Sequence, residues 1–319
     1  GEKFMEIMYL NSIGRSEYFP PNDAWLSGYA ISYYYFGYVM VATLAKLSAI
    51  PTRYAFNLGI ATLFALTASG AFSVVYNMVA VAARRSPRRA QRDGSWQRVA
   101  LVYGALAAVM IPLMGNLEGA LEFAHANGVG VTVEEPGNVT GPFWEWIDVK
   151  NLTRAPLSET WHPTDGWWWW RASRVIHDKG LTGNDMEVID EFPAFSFLLG
   201  DMHPHVLAYP FVFMVIGLAF NLLLAGTEGT SPTTGGEWWM AYLCLGAIGF
   251  LNTWDLPFYF FLIVAVYALN LYLRAGRADS ADPDEGLAAT GHAPTLLERL
   301  LAQWGVLKAG GTRWFGQAV

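Results

Sequence analysis

The chain has 319 residues, a formal net charge of −7 and a single cysteine, Cys244. Hydrophobic residues make up 53% and charged residues only 15%, against roughly 25% charged in an average soluble protein. This excludes an intrachain disulfide and a cysteine metal cluster, disfavours a nucleic-acid surface, and points to a membrane.

The charges fall between long runs that have none. The uncharged runs are 24–45, 54–83, 99–117, 205–226, 238–254 and 256–273. A helix needs about 17–25 apolar residues to cross the hydrocarbon core, and every run is near or above that length. The expected fold class is all-α: a polytopic helical membrane protein with a large external loop carrying interfacial helices. Residues 1–277 are expected to form the membrane domain, with 1–23 an external interfacial segment and 118–202 the external loop. Residues 278–319 read as a cytoplasmic linker and the start of a further element. The chain opens at GEKFMEIMYL without an initiator methionine and stops at WFGQAV. That predicts a segment of a longer, multi-pass plasma-membrane protein, whose remaining helices would be its partners.

In chain order, Phe4, Ile7, Met8, Leu10 and Asn11 give an amphipathic pattern over residues 4–13, suited to lying flat at the interface. Tyr18, Phe19, Pro20 and Pro21 break it. Residues 24–50 contain Tyr33, Tyr34 and Tyr35, which on a helix point in three directions, so at least one faces protein or a cavity. Residues 54–83 are the clearest span, with Gly59, Gly70 and Ala71 as small packing faces. The run RRSPRRAQR from Arg84 follows; as the densest basic stretch, it marks the cytoplasmic side.

Residues 99–117 then cross outward. Residues 118–202 carry 14 acidic and five basic residues and many tryptophans, and should lie outside. Trp167 to Trp170, followed by Arg171 and Arg174, read as an interfacial helix or the wall of a groove. His125 and His162 read as loop histidines. Residues 205–226 return inward, 238–254 cross out to Asp255, and 256–273 return to Arg274 and Arg277. One difficulty arises. If 24–50 fully crosses, Glu2 and Asp201 lie on opposite sides; if it does not, they share one side.

Polar residues gather at the outer helix ends, above all in EFPAFSFLLGDMHPHVLAYP from Glu191. Asp201, His203 and His205 alternate, and in an extended stretch alternate residues point the same way. A carboxylate and two imidazoles suit a divalent ion such as Mn²⁺, Mg²⁺ or Zn²⁺. The competing reading is a helix start, with Asp201 as cap and Pro204 in the first turn. Glu191 precedes an apolar stretch, which predicts either a protected carboxyl with a raised pKa, able to act as acid or base, or a solvated turn. Asp255 is expected to pair with Arg171 or Arg174.

Several pieces carry a family resemblance: GEKFME at Gly1, YFPPNDAW at Tyr18, SYYYFGY at Ser32, GNLEGALE at Gly115, WWWWRASRVI at Trp167, EFPAFSFLLGDMHPH at Glu191 and LNTWDLP at Leu251. Over residues 1–274 the chain resembles the uncharacterised integral membrane family of Chloroflexi and archaea named for its Tyr-Tyr-Tyr motif. More distantly it is similar to polyprenyl-phosphate-sugar-dependent membrane glycosyltransferases of the GT-C class. Glu2 is similar in position to their first-loop acidic residue, and YFPP to their aromatic–Pro-Pro element. The usual acidic pair is missing, since Glu2 lies between Gly1 and Lys3.

That second resemblance implies a polyprenyl-phosphate sugar as donor, membrane lipids as surroundings and an unspecified acceptor. Glu2 would be the base, with Glu191 and Asp201 as further catalytic carboxylates. Asp201, His203 and His205 would be the metal ligands. Tyr33, Tyr34, Tyr35, Arg171, Arg174 and Asp255 would be binding residues, the arginines steadying the leaving lipid phosphate. Two other classes compete: a structural or assembly protein that uses the tryptophan-rich loop as a contact surface, and a transporter. The latter is disfavoured by the few ionisable residues inside the long runs.

Overall fold

The computed structural model describes residues 2–85, 95–114, 116–135, 138–153, 155, 157–165, 167–228 and 235–281. Four helices in it are long and apolar enough to cross a membrane: α3 (Thr52–Arg85), α4 (Ser95–Leu113), α8 (Pro204–Glu228) and α10 (Leu256–Ala281). A fifth, α9 (Gly235–Leu251), runs back between α8 and α10 with 17 residues. Its first turn meets the last turns of α8, where Asn221 donates to Glu237 at 2.6 Å. The six spans read from the uncharged runs are thus corrected to four of full spanning length, together with this shorter return.

The missing span is the first one. Helix α2 covers only Phe36–Leu47, 12 residues, or about 18 Å. That is well short of a hydrocarbon core of about 30 Å. Tyr33, Tyr34 and Tyr35 precede this helix in non-helical backbone, so the expectation of three tyrosines around a helix is also corrected. Pro51 and the left-handed Ala49 (φ 54°) then reverse the chain into α3. Segment 24–50 therefore does not cross, and Glu2 and Asp201 lie at the same end of the bundle.

The direction of each helix follows from its contacts. Arg85 pairs with Glu228 at 3.2 Å, joining the C-terminal ends of α3 and α8. At their other ends Gly59 lies against Met202. The basic stretch after Arg85 falls on residues 86–94, outside the described residues, and the linker expected from 278 lies outside them from 282 onward. Lipid tails are as apolar as leucine, so these helices are held by close approach and polar contacts, not by hydrophobic exclusion. A Cβ at Gly70 would stand 2.8 Å from the Cβ of Phe213, and one at Gly226 would stand 2.8 Å from the Cα of Asn270. Asn270, fully buried, donates to the Leu222 carbonyl at 2.5 Å and ties α10 to α8. Trp239, Tyr242, Phe250, Phe258 and Phe261 remain exposed, as a lipid-facing surface requires.

Helix α1 (Lys3–Arg15) packs on α2 and α3 at the site end. Its buried face is Glu6, Tyr9, Leu10 and Ile13, while Phe4 is exposed. The expected apolar face is thus rotated. The true face has the i, i+3, i+4, i+7 spacing, with a glutamate in it.

Residues 116–203 form a second layer on that end. It contains α5 (Glu118–Ala126), the hairpin β1 (Thr132–Glu135) and β2 (Asn138–Thr140), and α6 (Pro142–Ile147). A 3₁₀ turn at Trp168–Ser173 stands where an interfacial helix was one reading. The hairpin β3 (His177–Lys179) and β4 (Asp185–Glu187) and the short α7 (Pro193–Leu199) follow. Trp144, Val149, Leu152 and Ala155 make a small core of their own.

Candidate functional site

Pro193 opens α7, and Gly200 closes it in the left-handed region (φ 66°), where glycine carries no Cβ penalty. This reversal returns the chain toward the bundle. Pro204 then starts α8 with a fixed φ and no N–H to satisfy. Four residues, 200–203, stay between the helices, and His203 is the last of them. His205 lies in the first turn of α8.

The two imidazoles, their ring centroids 5.2 Å apart, both reach one oxygen of Glu191. Glu191 Oε2 is 2.9 Å from His205 Nδ1 and 3.3 Å from His203 Nε2. One ligand atom from each of Glu191, His203 and His205 lies within 4.8 Å of the others. The remaining nitrogens are also engaged. His203 Nδ1 meets Glu2 Oε2 at 2.9 Å, and His205 Nε2 meets Ser196 Oγ at 2.8 Å. Burial pushes the Glu191 carboxyl up, but the hydrogen bond from His205 and the charges of both imidazoles outweigh it. The net pKa is below the usual carboxylate range. The raised pKa expected for Glu191 is therefore corrected: an apolar flank is not enough when two histidines face the group.

Other acids surround this centre. Asp201 is buried and is not in the three-residue group. The set with metal-ligand spacing has Glu191 in its place. Burial raises the Asp201 pKa against the opposing pull of Lys3 and His203, and its Oδ1 has no hydrogen-bond partner among the described residues. Beside it, Glu6 accepts the Met202 N–H at 3.0 Å with one oxygen, while the other has no hydrogen-bond partner among the described residues. Burial, with the carboxylates of Asp201 and Glu2, holds the Glu6 pKa at about 7 against that hydrogen bond. Tyr33 is packed against Tyr34 and Tyr9. Burial, then the charges of Glu2 and Glu191, push its phenol up to about 12. Asp255 accepts a hydrogen bond from Asn252 at 3.0 Å; burial raises its pKa, and His205 is close enough to oppose that.

The arginines go elsewhere. Arg171 is bidentate to Glu122, at 2.6 and 2.9 Å, and also reaches Asp165 at 2.5 Å. The expected pairing of Arg171 with Asp255 is corrected, because its donors are taken by acids of its own layer. Arg174 donates to Ser173 and lies over the Trp170 ring at 4.7 Å. Trp170 in turn packs on Phe195 of α7, which puts Arg174 behind the wall of the site. His125 is corrected as well. It is a buried residue of α5, edge-on to Trp144, and not a loop histidine.

The geometry thus brings Glu2, Glu191, His203 and His205 into contact, with Asp201, Asp255 and Tyr33 around them. It leaves Arg171 out. Glu6 is the residue that sequence reasoning missed, and its place on the buried face of α1 was the available signal.

The family model described as an uncharacterized membrane protein, DUF2298, matches residues 1–310. The chain belongs to this family. The membership is that of an uncharacterised membrane family, as its motifs led us to expect; the match does not extend to the glycosyltransferase class. No curated protein and no solved structure matches the chain.

Proposed function

We propose that Glu191, His203 and His205 hold a divalent metal at the end of the membrane helices, and that this centre serves transfer of a sugar from a polyprenyl phosphate. The donor set supports the metal part. Two imidazole nitrogens and one carboxylate oxygen leave coordination positions open, and they suit Zn²⁺ or Mn²⁺ better than Mg²⁺, which prefers oxygen ligands. The single observation that carries the reading is the engagement of each far ring nitrogen, His203 Nδ1 by Glu2 and His205 Nε2 by Ser196. Outer partners of this kind fix the orientation of metal-ligating histidines.

A bound metal would supply Lewis-acid stabilisation of the leaving phosphate. The chain's own residues do the rest. Glu2, half-exposed, takes the proton of the acceptor hydroxyl. The hydroxyl oxygen bonds to the anomeric carbon as the bond from that carbon to the phosphate oxygen breaks, and the electron pair leaves with the lipid phosphate. Tyr33 borders the acceptor side. A polar centre on top of membrane helices suits a substrate with its tail in the bilayer and its head in water.

The test is transfer from radiolabelled polyprenyl-phosphate sugar by the intact protein in lipid nanodiscs. The reading expects label to leave the lipid in the wild type, and Glu2→Gln and His203→Ala to lose that release. Wild-type protein that binds metal but leaves the labelled lipid unchanged, across hexose donors and acceptors, would overturn the transferase part.

A further inference from the structure

Far from that centre, three basic side chains from three helices line one cavity of about 540 Å³: Arg15 from the last turn of α1, Lys46 from the last turn of α2 and Arg53 from the first turn of α3. Among the described residues none of the three has a carboxylate partner. Arg53 instead lies over the ring of Tyr54, at 4.9 Å. Three cations held together without counter-charge repel one another and attract an anion.

The cavity continues into an apolar groove. Ala45, Ile50 and Ala55 line both the cationic chamber and a second space of about 520 Å³ between α2, α3 and α8. That groove descends past Leu58, Leu66 and Phe211, along the spanning part of α3. A positive chamber opening onto an apolar groove matches a molecule with an anionic head and a hydrocarbon tail.

We propose that this chamber and groove bind one lipid with a net anionic phosphate head, its phosphate between Arg15, Lys46 and Arg53 and its chain along Leu58 and Leu66. Arg15 lies about 20 Å along α1 from Glu2, at 1.5 Å per residue. A phosphate held here is out of reach of His203, so this lipid is not the donor of the reaction proposed above, and the site stands whether or not that reaction does. The bound lipid would lock α1 and α2 onto the start of α3.

The phosphate could come from a lipid or from solution, and the test separates the two. The intact protein is examined by native mass spectrometry with phosphatidylglycerol, phosphatidylcholine or inorganic phosphate. The expected result is one retained phosphatidylglycerol, readily exchanged phosphatidylcholine, and weak inorganic phosphate. Replacing all three cations (Arg15→Ala, Lys46→Ala, Arg53→Ala) should weaken phosphatidylglycerol retention roughly 100-fold. These side chains are exposed, so the fold should survive. Filling the groove with Leu58→Trp should also release the lipid while keeping the three cations. Equal retention of phosphatidylcholine, or full retention of phosphatidylglycerol by the triple variant, would overturn the proposal. Inorganic phosphate binding as tightly as the lipid, unaffected by Leu58→Trp, would assign the chamber to free phosphate and overturn the lipid reading.

Discussion

Two ionised clusters sit in the layer above the membrane helices, and they are built on opposite principles. Around Arg171, Glu122 and Asp165 supply the counter-charge, and a bidentate fork uses the planar guanidinium fully. Glu191 itself faces imidazoles in place of a guanidinium, and Lys3 acts on its neighbours Asp201 and Glu6. Two imidazoles share one carboxylate, a second carboxylate backs one of them, and Asp201 and Glu6 each keep an oxygen without a hydrogen-bond partner among the described residues. In the first cluster the guanidinium is saturated and ties its layer together, although Glu118 beside it also keeps both oxygens without a hydrogen-bond partner among the described residues. The second has coordinating capacity left over. An ionisable cluster alone therefore does not mark a site; what separates the two is the donor set, two imidazoles and a carboxylate whose ligand atoms lie within 4.8 Å of one another.

The largest expected effect breaks the Arg171 cluster. Arg171→Met leaves Glu122 buried without its partner and should cost about 3–5 kcal/mol, read as lost thermal or denaturant stability of the purified protein. The double variant with Glu122→Met should recover most of that loss. A single variant as stable as the wild type would show that the pair is not the structural tie described here.

The next effect breaks the Glu191 cluster. Glu191→Ala or His203→Ala should abolish metal retention while leaving stability within about 1 kcal/mol, opposite to the pattern at Arg171. Equilibrium dialysis against Zn²⁺ and Mn²⁺, with a melting curve on the same sample, reads both. A smaller effect sharpens the comparison. Ser196→Ala removes only the orienting contact on His205 and should lower metal affinity by about 10–100-fold without abolishing it.

The last effect is a pH dependence beside Arg171. Burial, then the neighbouring Glu122, raise the Glu118 pKa to about 8 against the opposing charge of Arg171. Between the ordinary value of 4.5 and about 8, the folded state binds a proton that the unfolded state has released. Stability should therefore fall as pH rises through that window and level off above it. Glu118→Gln should flatten that part of the stability–pH curve; an unchanged slope would remove Glu118 as its source.

The spanning helices were legible because 54–83, 99–117, 205–226 and 256–273 combine length with hydropathy. Residues 24–45 were not, because freedom from charge is a weaker signal than helical continuity, and the tyrosine run precedes the helix. His203 and His205 were singled out as alternating residues of an extended stretch, but Pro204 starts α8 between them, as the competing helix-start reading had it. The third member of the group was not, since Glu191 meets the histidines only through the reversal at Gly200, a tertiary event that no local spacing encodes. Glu2 was singled out through a resemblance alone; its contact with His203 spans the chain from end to end of the described site. Glu6 and Glu122 were readable in principle, since both fall on the buried stripe of an amphipathic helix.

The most direct test of the central claim is the metal content of the intact wild-type protein after exposure to Zn²⁺ and Mn²⁺ and removal of free ion, compared with Glu191→Ala and His205→Ala. The account predicts one tightly held equivalent of one of these ions in the wild type and none in either variant. A wild type that retains no metal, or variants that retain as much as the wild type, would contradict it and leave Glu191, His203 and His205 as a clasp between α7 and α8.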